Sequence, residues 1–268
     1  MLAAQRQTMI LDYVGKLGAA RISELVESLD VSEMTVRRDI DSLAEQGLVD
    51  KVHGGATAIL EQSPASEPPF KSKSLREQVT KDAIAARAAE LVQPGAAIAM
   101  MGGSSVFAMA RHIKDIPRLT VVTNSLPVSD YLHNEGRADQ TVILAGGMRT
   151  PTDSLVGEIA IQTFDKVNVD MVFMGTHGMD IRGGYSSPNL FESESNLAIR
   201  SRAKKLVVLA DHTKWGQVGF STFAKLSDAD VLITDAGLPS DALAELKQHV
   251  AEVQLVSTEI ENLSRGVL

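Results

Sequence analysis

The sequence predicts an α/β protein in two parts: a small N-terminal helical domain ending in a β-hairpin, then a largely parallel, doubly wound α/β domain. Three observations carry this. Apolar residues recur at helical spacing through residues 10–43, and from Leu75 onward short apolar runs alternate with helical windows. Between these regions, Ala58 to Lys73 contains Ser63-Pro64, Ser66 and Pro68-Pro69 with no sustained apolar period, the composition of an exposed linker. The expected organisation is therefore 1–57, a linker over 58–74, and 75–268. At 268 residues the chain is long enough to bury a substantial core in the larger part.

In the first part, Ile10, Val14 and Leu17 mark one helix and Ile22, Leu25, Val26 and Leu29 a second. Val36, Ile40 and Leu43 mark a third, with Ser32 placed to cap its start and Gly47 to stop it. A second helix, a tight turn over Asp30-Val31-Ser32 and a third helix is helix-turn-helix order. Leu48 to His53 followed by Gly54-Gly55 predicts a hairpin wing. With the apolar stripe turned inward, Thr35, Arg37, Arg38 and Ser42 lie outside it, within reach of a DNA groove, and the wing carries Lys51 and His53 toward the phosphate backbone. Ser32 and Gly54 complete the candidate DNA-contacting set. The alternative reading is a small helical domain whose arginines form a solvated face.

Charge bears on that choice. Residues 1–57 hold six Lys/Arg against nine Asp/Glu, and the whole chain has a formal net charge of −8. Such acidity weakens non-specific attraction to phosphate more than it weakens base readout, since charges are screened over roughly 8 Å at physiological salt. Binding is thus expected to rest on specific contacts made by a dimer at two half-sites.

The string Ser32-x-x-Thr35-Val36-Arg37-Arg38-Asp39-Ile40-x-x-Leu43, followed by Gly47-Leu48-Val49 and Val52-His53-Gly54-Gly55-Ala56, closely resembles the winged helix-turn-helix of the DeoR/GlpR family of bacterial transcriptional repressors. The resemblance implies that Thr35, Arg37 and Arg38 contact double-stranded operator DNA. Lys51 stands where members usually carry arginine, which keeps the charge and loses the bidentate fork.

From Leu75, a helix with Val79, Ala83, Ala86 and Leu91 on one face precedes strands expected near 96–101, 119–122, 141–145, 171–174, 206–210, 231–234 and 253–256. Helical windows at 106–113, 128–134, 192–202 and 241–250 lie between them. This alternation argues a sheet covered on both faces. Small and polar segments follow the strands: Met101-Gly102-Gly103-Ser104-Ser105, Thr123-Asn124-Ser125, Gly146-Gly147, Gly175-Thr176-His177-Gly178, Asp211-His212-Thr213-Lys214 and Thr234-Asp235. In open α/β sheets that edge borders the ligand crevice. Gly102 to Ser105 enters a helix, so amides, hydroxyls and a helix N-terminus suit a phosphate, with Lys214 adding a point charge. Any one of these glycine loops also reads as a plain tight turn.

The second part resembles the DeoR sensor domain, of the ribose-5-phosphate isomerase and coenzyme A transferase fold type. The matching stretches are Thr123-Asn124-Ser125-Leu126, Gly146-Gly147-x-Arg149, Ser154-Leu155-Val156-Gly157, Gly175-x-x-Gly178, Glu192-x-Glu194 and Leu209-Ala210-Asp211-x-x-Lys214. The resemblance implies a repressor whose DNA affinity changes when a phosphorylated sugar or related metabolite binds. The candidate effector residues are Gly102, Gly103, Ser104, Ser105, Asn124, Ser125, Gly147, Arg149, Gly175, Glu192, Asp211 and Lys214. Members commonly carry Asp-x-Gly-Thr-Thr after the first sensor strand, where this chain has Met101-Gly102-Gly103-Ser104-Ser105. The hydroxyls are kept and a carboxylate is lost. Asn196 and Ile199 likewise replace the lysine and methionine often found there.

The alternative function is a sugar-phosphate isomerase with a vestigial helical domain, for which Glu192, Glu194, Asp211 and Lys214 offer acid and base groups. A DNA-reading domain gives the chain a function without turnover, so no enzyme activity is expected. The sequence lacks the phosphate-loop, dinucleotide, nucleophile-elbow and zinc-protease motifs, and no cofactor is expected. His177 and His212 are solitary and predict no metal site, and Trp215 reads as a packing residue. Without cysteine, a signal-peptide core or a membrane span, the chain is expected to be soluble and cytoplasmic, acting as a homo-oligomer.

Overall fold

The computed structural model describes residues 2–57, 70–75 and 77–257. The chain divides into two compact units, Met1–Gln62 with Lys71–Gln78, and Ser63–Phe70 with Val79–Leu268. Most of the stretch read as linker lies outside the described residues, but its end, Phe70–Leu75, is a short helix (α4).

The first unit contains α1 (Ala3–Leu17), β1 (Ala19–Arg21), α2 (Ile22–Leu29), α3 (Glu33–Glu45), β2 (Asp50–Val52) and β3 (Gly55–Thr57). Ile10, Val14, Leu25, Leu29, Val36, Ile40 and Leu43 meet in one buried cluster, as their spacing requires. Leu17 does not join it and is exposed, because α1 ends there on Gly18, whose left-handed backbone donates back to the Val14 carbonyl at 2.8 Å. The wing turn is His53-Gly54. Gly55 already belongs to β3, where a Cβ would sit 2.2 Å from the Ala20 carbonyl oxygen, so only glycine lets β1 join the hairpin as a third strand. That third strand has no counterpart in the sequence expectation.

In the second unit a seven-stranded sheet runs parallel throughout. Its strands are β4 (Ala97–Met100), β5 (Thr120–Thr123), β6 (Thr141–Leu144), β9 (Val169–Gly175), β12 (Ala203–Leu209), β14 (Val231–Asp235) and β15 (Glu252–Val256). Their spatial order is β15-β14-β12-β9-β4-β5-β6. Alternate residues feed opposite faces. Ile98 and Met100 join Val106, Met109 and Ile113 of α6 (Ser104–Ile113) and Val128 and Leu132 of α7 (Leu126–Glu135), whereas Ala99 and Met101 join Phe164 of α8 (Glu158–Phe164), Ile199 of α9 (Leu190–Arg200) and Leu246 of α10 (Ser240–His249). This is the doubly wound arrangement expected. The helix α5 (Gln78–Ala89) turns differently from its predicted face: Val79 is exposed, and Thr80, Lys81, Ile84, Ala85, Ala88 and Ala89 are buried. A lysine and a threonine on the inward face disguise its true stripe.

Two small antiparallel elements are additions. One is a hairpin of β7 (Met148–Arg149) with β8 (Leu155–Val156), and the other a three-stranded sheet of β10 (Gly178–Asp180), β11 (Gly184–Ser187) and β13 (Ser221–Ala224). No helix among the described residues is long and apolar enough to cross a membrane.

Candidate functional site

On α3, Val36, Asp39, Ile40 and Leu43 are buried, leaving Glu33, Met34, Arg37 and Arg38 exposed. Ser32 caps the helix by accepting from the Thr35 amide at 3.2 Å, and the two hydroxyls bond each other at 2.8 Å. Arg37 donates from Nε at 3.0 Å and from Nη2 at 2.6 Å to Oε1 of Glu33, one turn earlier. Ser42 is half-buried and takes a bond from Gln46 Nε2 at 3.0 Å. In the wing, His53 is exposed, Gly54 adopts φ 86° and accepts from the Ile22 amide, and the Lys51 ammonium sits 2.5 Å from Asp41 Oδ1. Lys51 is therefore held on the acidic side of the recognition helix, and must exchange that partner to meet a phosphate.

The orientation of α3 depends on a pair that charge counting passes over. Arg6 of α1 donates to Asp39 from Nε at 2.8 Å and from Nη2 at 3.3 Å, with only 14% and 6% of the two side chains exposed. A charge count enters Arg6 as one basic residue and Asp39 as one acidic residue, whereas the fold pairs them.

In the second unit, β4 and β9 are adjacent, while β4 leads on to β5 at one side and β9 to β12 at the other. Loops leaving their carboxyl ends diverge, which opens the crevice where doubly wound sheets take ligands. Gly102 and Gly103 border it from β4 and Gly175 from β9, with a Cβ on Gly103 falling 3.9 Å from Gly175 Cα. The Gly102 amide donates to Asn124 Oδ1 at 2.9 Å, and Asn124 Nδ2 donates to the Leu155 carbonyl at 3.1 Å, so Asn124 ties the loops after β4 and β5 to strand β8. A Cβ on Gly102 would lie 1.9 Å from Ser154 Oγ. Gly103 supplies the start of α6, whose first residues are Ser104, half-buried, and Ser105, buried. Ser125 is buried and caps α7.

Glu192, near the start of α9, is fixed on three hydroxyls: Thr150 and Thr152 donate to Oε1, and Ser187 to Oε2 at 3.1 Å. Glu194 faces solvent. Gly147 is exposed in the β6–β7 turn at φ 136°, and Arg149 is 64% exposed and paired with Asp153 at 2.7 Å.

After β12, Asp211 is 1% exposed. Its Oδ1 accepts from the amide and hydroxyl of Thr213, and its Oδ2 has no hydrogen-bond partner among the described residues. Burial pushes this carboxyl's pKa up, but Lys214, Lys81, the Thr213 bond and His212 outweigh it and hold the group below the ordinary carboxylate value. His212 is oriented by Asp235 at the end of β14, with Nδ1 2.7 Å from Oδ2 and its amide 2.7 Å from Oδ1.

Residues 76–236 match the model of the DeoR C-terminal sensor domain, and residues 6–62 that of the DeoR-like helix-turn-helix domain. The chain belongs to the DeoR family. Within it, this DeoR regulator is 36% identical over 263 residues to an HTH-type transcriptional regulator, YgbI, of Escherichia coli (strain K12), covering 97% of this chain and all of that one. It is 32% identical to the HTH-type transcriptional regulator GlpR of Haloferax volcanii over 92% of this chain and 95% of that one. The glycerol-3-phosphate regulon repressor of E. coli is 28% identical over 95% of this chain and its own full length. The chain has a partial likeness to ribose 5-phosphate isomerase from Methanocaldococcus jannaschii, at 16% identity and TM-score 0.37 over 52% of this chain and 54% of that one. The DeoR chain is thus a DNA-binding transcriptional regulator, in keeping with the expected function, and these relatives are named as regulators or repressors.

The crevice of this DeoR sensor also contains residues that the sequence reading passed over. Lys81 lies on the buried face of α5, where a lysine reads as a solvated helix position, and Thr150, Thr152 and Ser187 gain their meaning only from Glu192. Spacing gives no signal for either group, since the partners come from different loops.

Proposed function

We propose that this regulator is a repressor of carbohydrate-metabolism genes whose affinity for operator DNA is set by a phosphorylated sugar or related metabolite in the crevice at the ends of β4, β5, β9 and β12. The observation that carries the reading is Asp211, a buried carboxylate with one oxygen unsatisfied beside the charges of Lys81 and Lys214. Such an oxygen calls for a donor, and a sugar hydroxyl supplies one. This acceptor stands in the crevice of a chain that has lost the usual loop aspartate at Met101.

In this reading the amides of Gly103, Ser104 and Ser105 and the two serine hydroxyls take the phosphate at the start of α6, with Lys214 opposite. Gly102, Asn124 and Ser125 shape the loops, and Gly147, Arg149, Gly175 and Glu192 line the same edge. Ser32, Thr35, Arg37, Arg38, Ser42, Lys51, His53 and Gly54 form the DNA-contacting surface. Two copies read paired half-sites, about one helical turn or a multiple of it apart. Effector and DNA are coupled by typically 1–3 kcal/mol, a 5–150-fold change in affinity. The name of the glycerol-3-phosphate regulon repressor supports a phosphorylated effector here.

Calorimetric titration of the full chain with a panel of sugar phosphates, each beside its unphosphorylated parent, tests the effector. One member binding only in phosphorylated form is the expected result. Equal binding of a parent sugar, or no binding by any member, rejects it.

A further inference from the structure

The first turn of α3 carries an anomaly. Met34 is 72% exposed, a large apolar side chain on the face of α3 opposite the buried Val36, Ile40 and Leu43. It stands three and four residues before Arg37 and Arg38, on the same face. The polar groups around it are already engaged with one another: Ser32 with Thr35, and Glu33 with Arg37. Met34 is left as the side chain of that turn with an open surface and no polar atom able to donate.

Helix-turn-helix proteins set the N-terminal residues of the recognition helix against base edges in the major groove. Most of what that groove presents is polar, namely acceptors on guanine, adenine and thymine and donors on adenine and cytosine. Its one apolar feature is the C5-methyl group of thymine. An unbranched, polarizable thioether with three rotatable bonds fits such a methyl without needing fixed geometry. A methionine also makes a poor phosphate contact, which separates its role from that of a lysine or arginine at the same place.

We infer that Met34 is a specificity-determining residue that packs on a thymine methyl in each operator half-site. The inference rests on the DNA-reading surface proposed above, and it adds a base preference that the arginines alone do not give. Glu33 holds Arg37 beside it, so that an apolar and a polar contact are presented one helical turn apart.

The test begins by selecting binding sites from a random duplex library with the full-length protein. In the selected duplex each thymine is then replaced singly by deoxyuridine, which deletes only the methyl. Anisotropy titrations follow for the wild type and Met34→Ala, whose exposed position leaves the fold intact, checked by an unchanged Tm. The wild type is expected to lose about fourfold in affinity at one thymine per half-site, the worth of one buried methyl. Met34→Ala is expected to bind the thymine duplex more weakly and to be indifferent to deoxyuridine at that position. Equal responses of both proteins at every thymine overturn the inference while leaving sequence-specific binding in place. Failure of the wild type to enrich any sequence overturns the DNA-reading surface itself.

Discussion

Arg6 and Asp39 are joined at two points across the back of the recognition helix, Nε to Oδ2 at 2.8 Å and Nη2 to Oδ1 at 3.3 Å. The pair fixes α3 against α1 while its opposite face meets solvent. Removing one partner breaks both bonds of a nearly buried ion pair, so Asp39→Ala is expected to cost about 3 kcal/mol of stability, measured by urea unfolding. The exchange Arg6→Asp with Asp39→Arg is expected to recover part of that loss. A single variant as stable as wild type contradicts this role.

Arg37 and Arg38 are exposed, and the ion pair of Arg37 with Glu33 lies at the surface, where such pairs contribute little to folding. Arg37→Ala and Arg38→Ala are each expected to leave Tm within a degree or two while lowering operator affinity by about 1–3 kcal/mol per lost base contact, or 5- to 150-fold. Loss of specific binding at constant Tm is the signature to look for in a salt-controlled titration.

Gly102 has no room for a side chain. In Gly102→Ala the new methyl meets Ser154 Oγ at 1.9 Å and Ser154 Cβ at 3.0 Å, both of a buried residue. Overpacking of this kind costs about 1–3 kcal/mol. The variant is expected to lose effector binding in calorimetry, and Ser154→Gly in the same chain is expected to restore part of its stability.

Asp211 gives the fold an acid-sensitive element. Burial raises its pKa, but Lys214, Lys81, Thr213 and His212 lower it by more, so the folded value lies below the ordinary 3.8. A group depressed in this way contributes stability that is fully present above the unfolded value and is lost as pH falls through the folded one. The stability difference between wild type and Asp211→Asn is expected to hold constant above about pH 5 and to shrink below 3.8, measured by urea unfolding at a series of pH values. A difference that widens in acid contradicts the assignment.

Much of this was legible in sequence because the signals are local. Ser32 caps α3 by its own hydroxyl, and the runs around Ile98, Val121, Val172 and Val207 are apolar on both faces, as buried parallel strands must be. Elements whose reason for existing is elsewhere in the chain were hidden. β1 is three residues long and exists because Gly55 admits Ala20; β7 and β8 have two residues each; and β11, Gly184–Ser187, carries serines that read as loop. The candidate site divides in the same way. Gly102 to Ser105 and Asp211 stand out at strand ends, whereas Lys81 and the hydroxyls around Glu192 acquire a role only when separate loops converge.

Effector binding in the sensor domain and DNA binding in the helix-turn-helix domain are coupled in the proposed function. Fluorescence anisotropy of the full-length protein on DNA from upstream of its own and neighbouring genes, at fixed salt, measures that coupling directly when titrated with each sugar phosphate. Competitor-resistant binding that one phosphorylated sugar weakens by 5- to 150-fold is the expected result. Specific binding that no sugar phosphate alters, or an absence of specific binding, would contradict the proposed function.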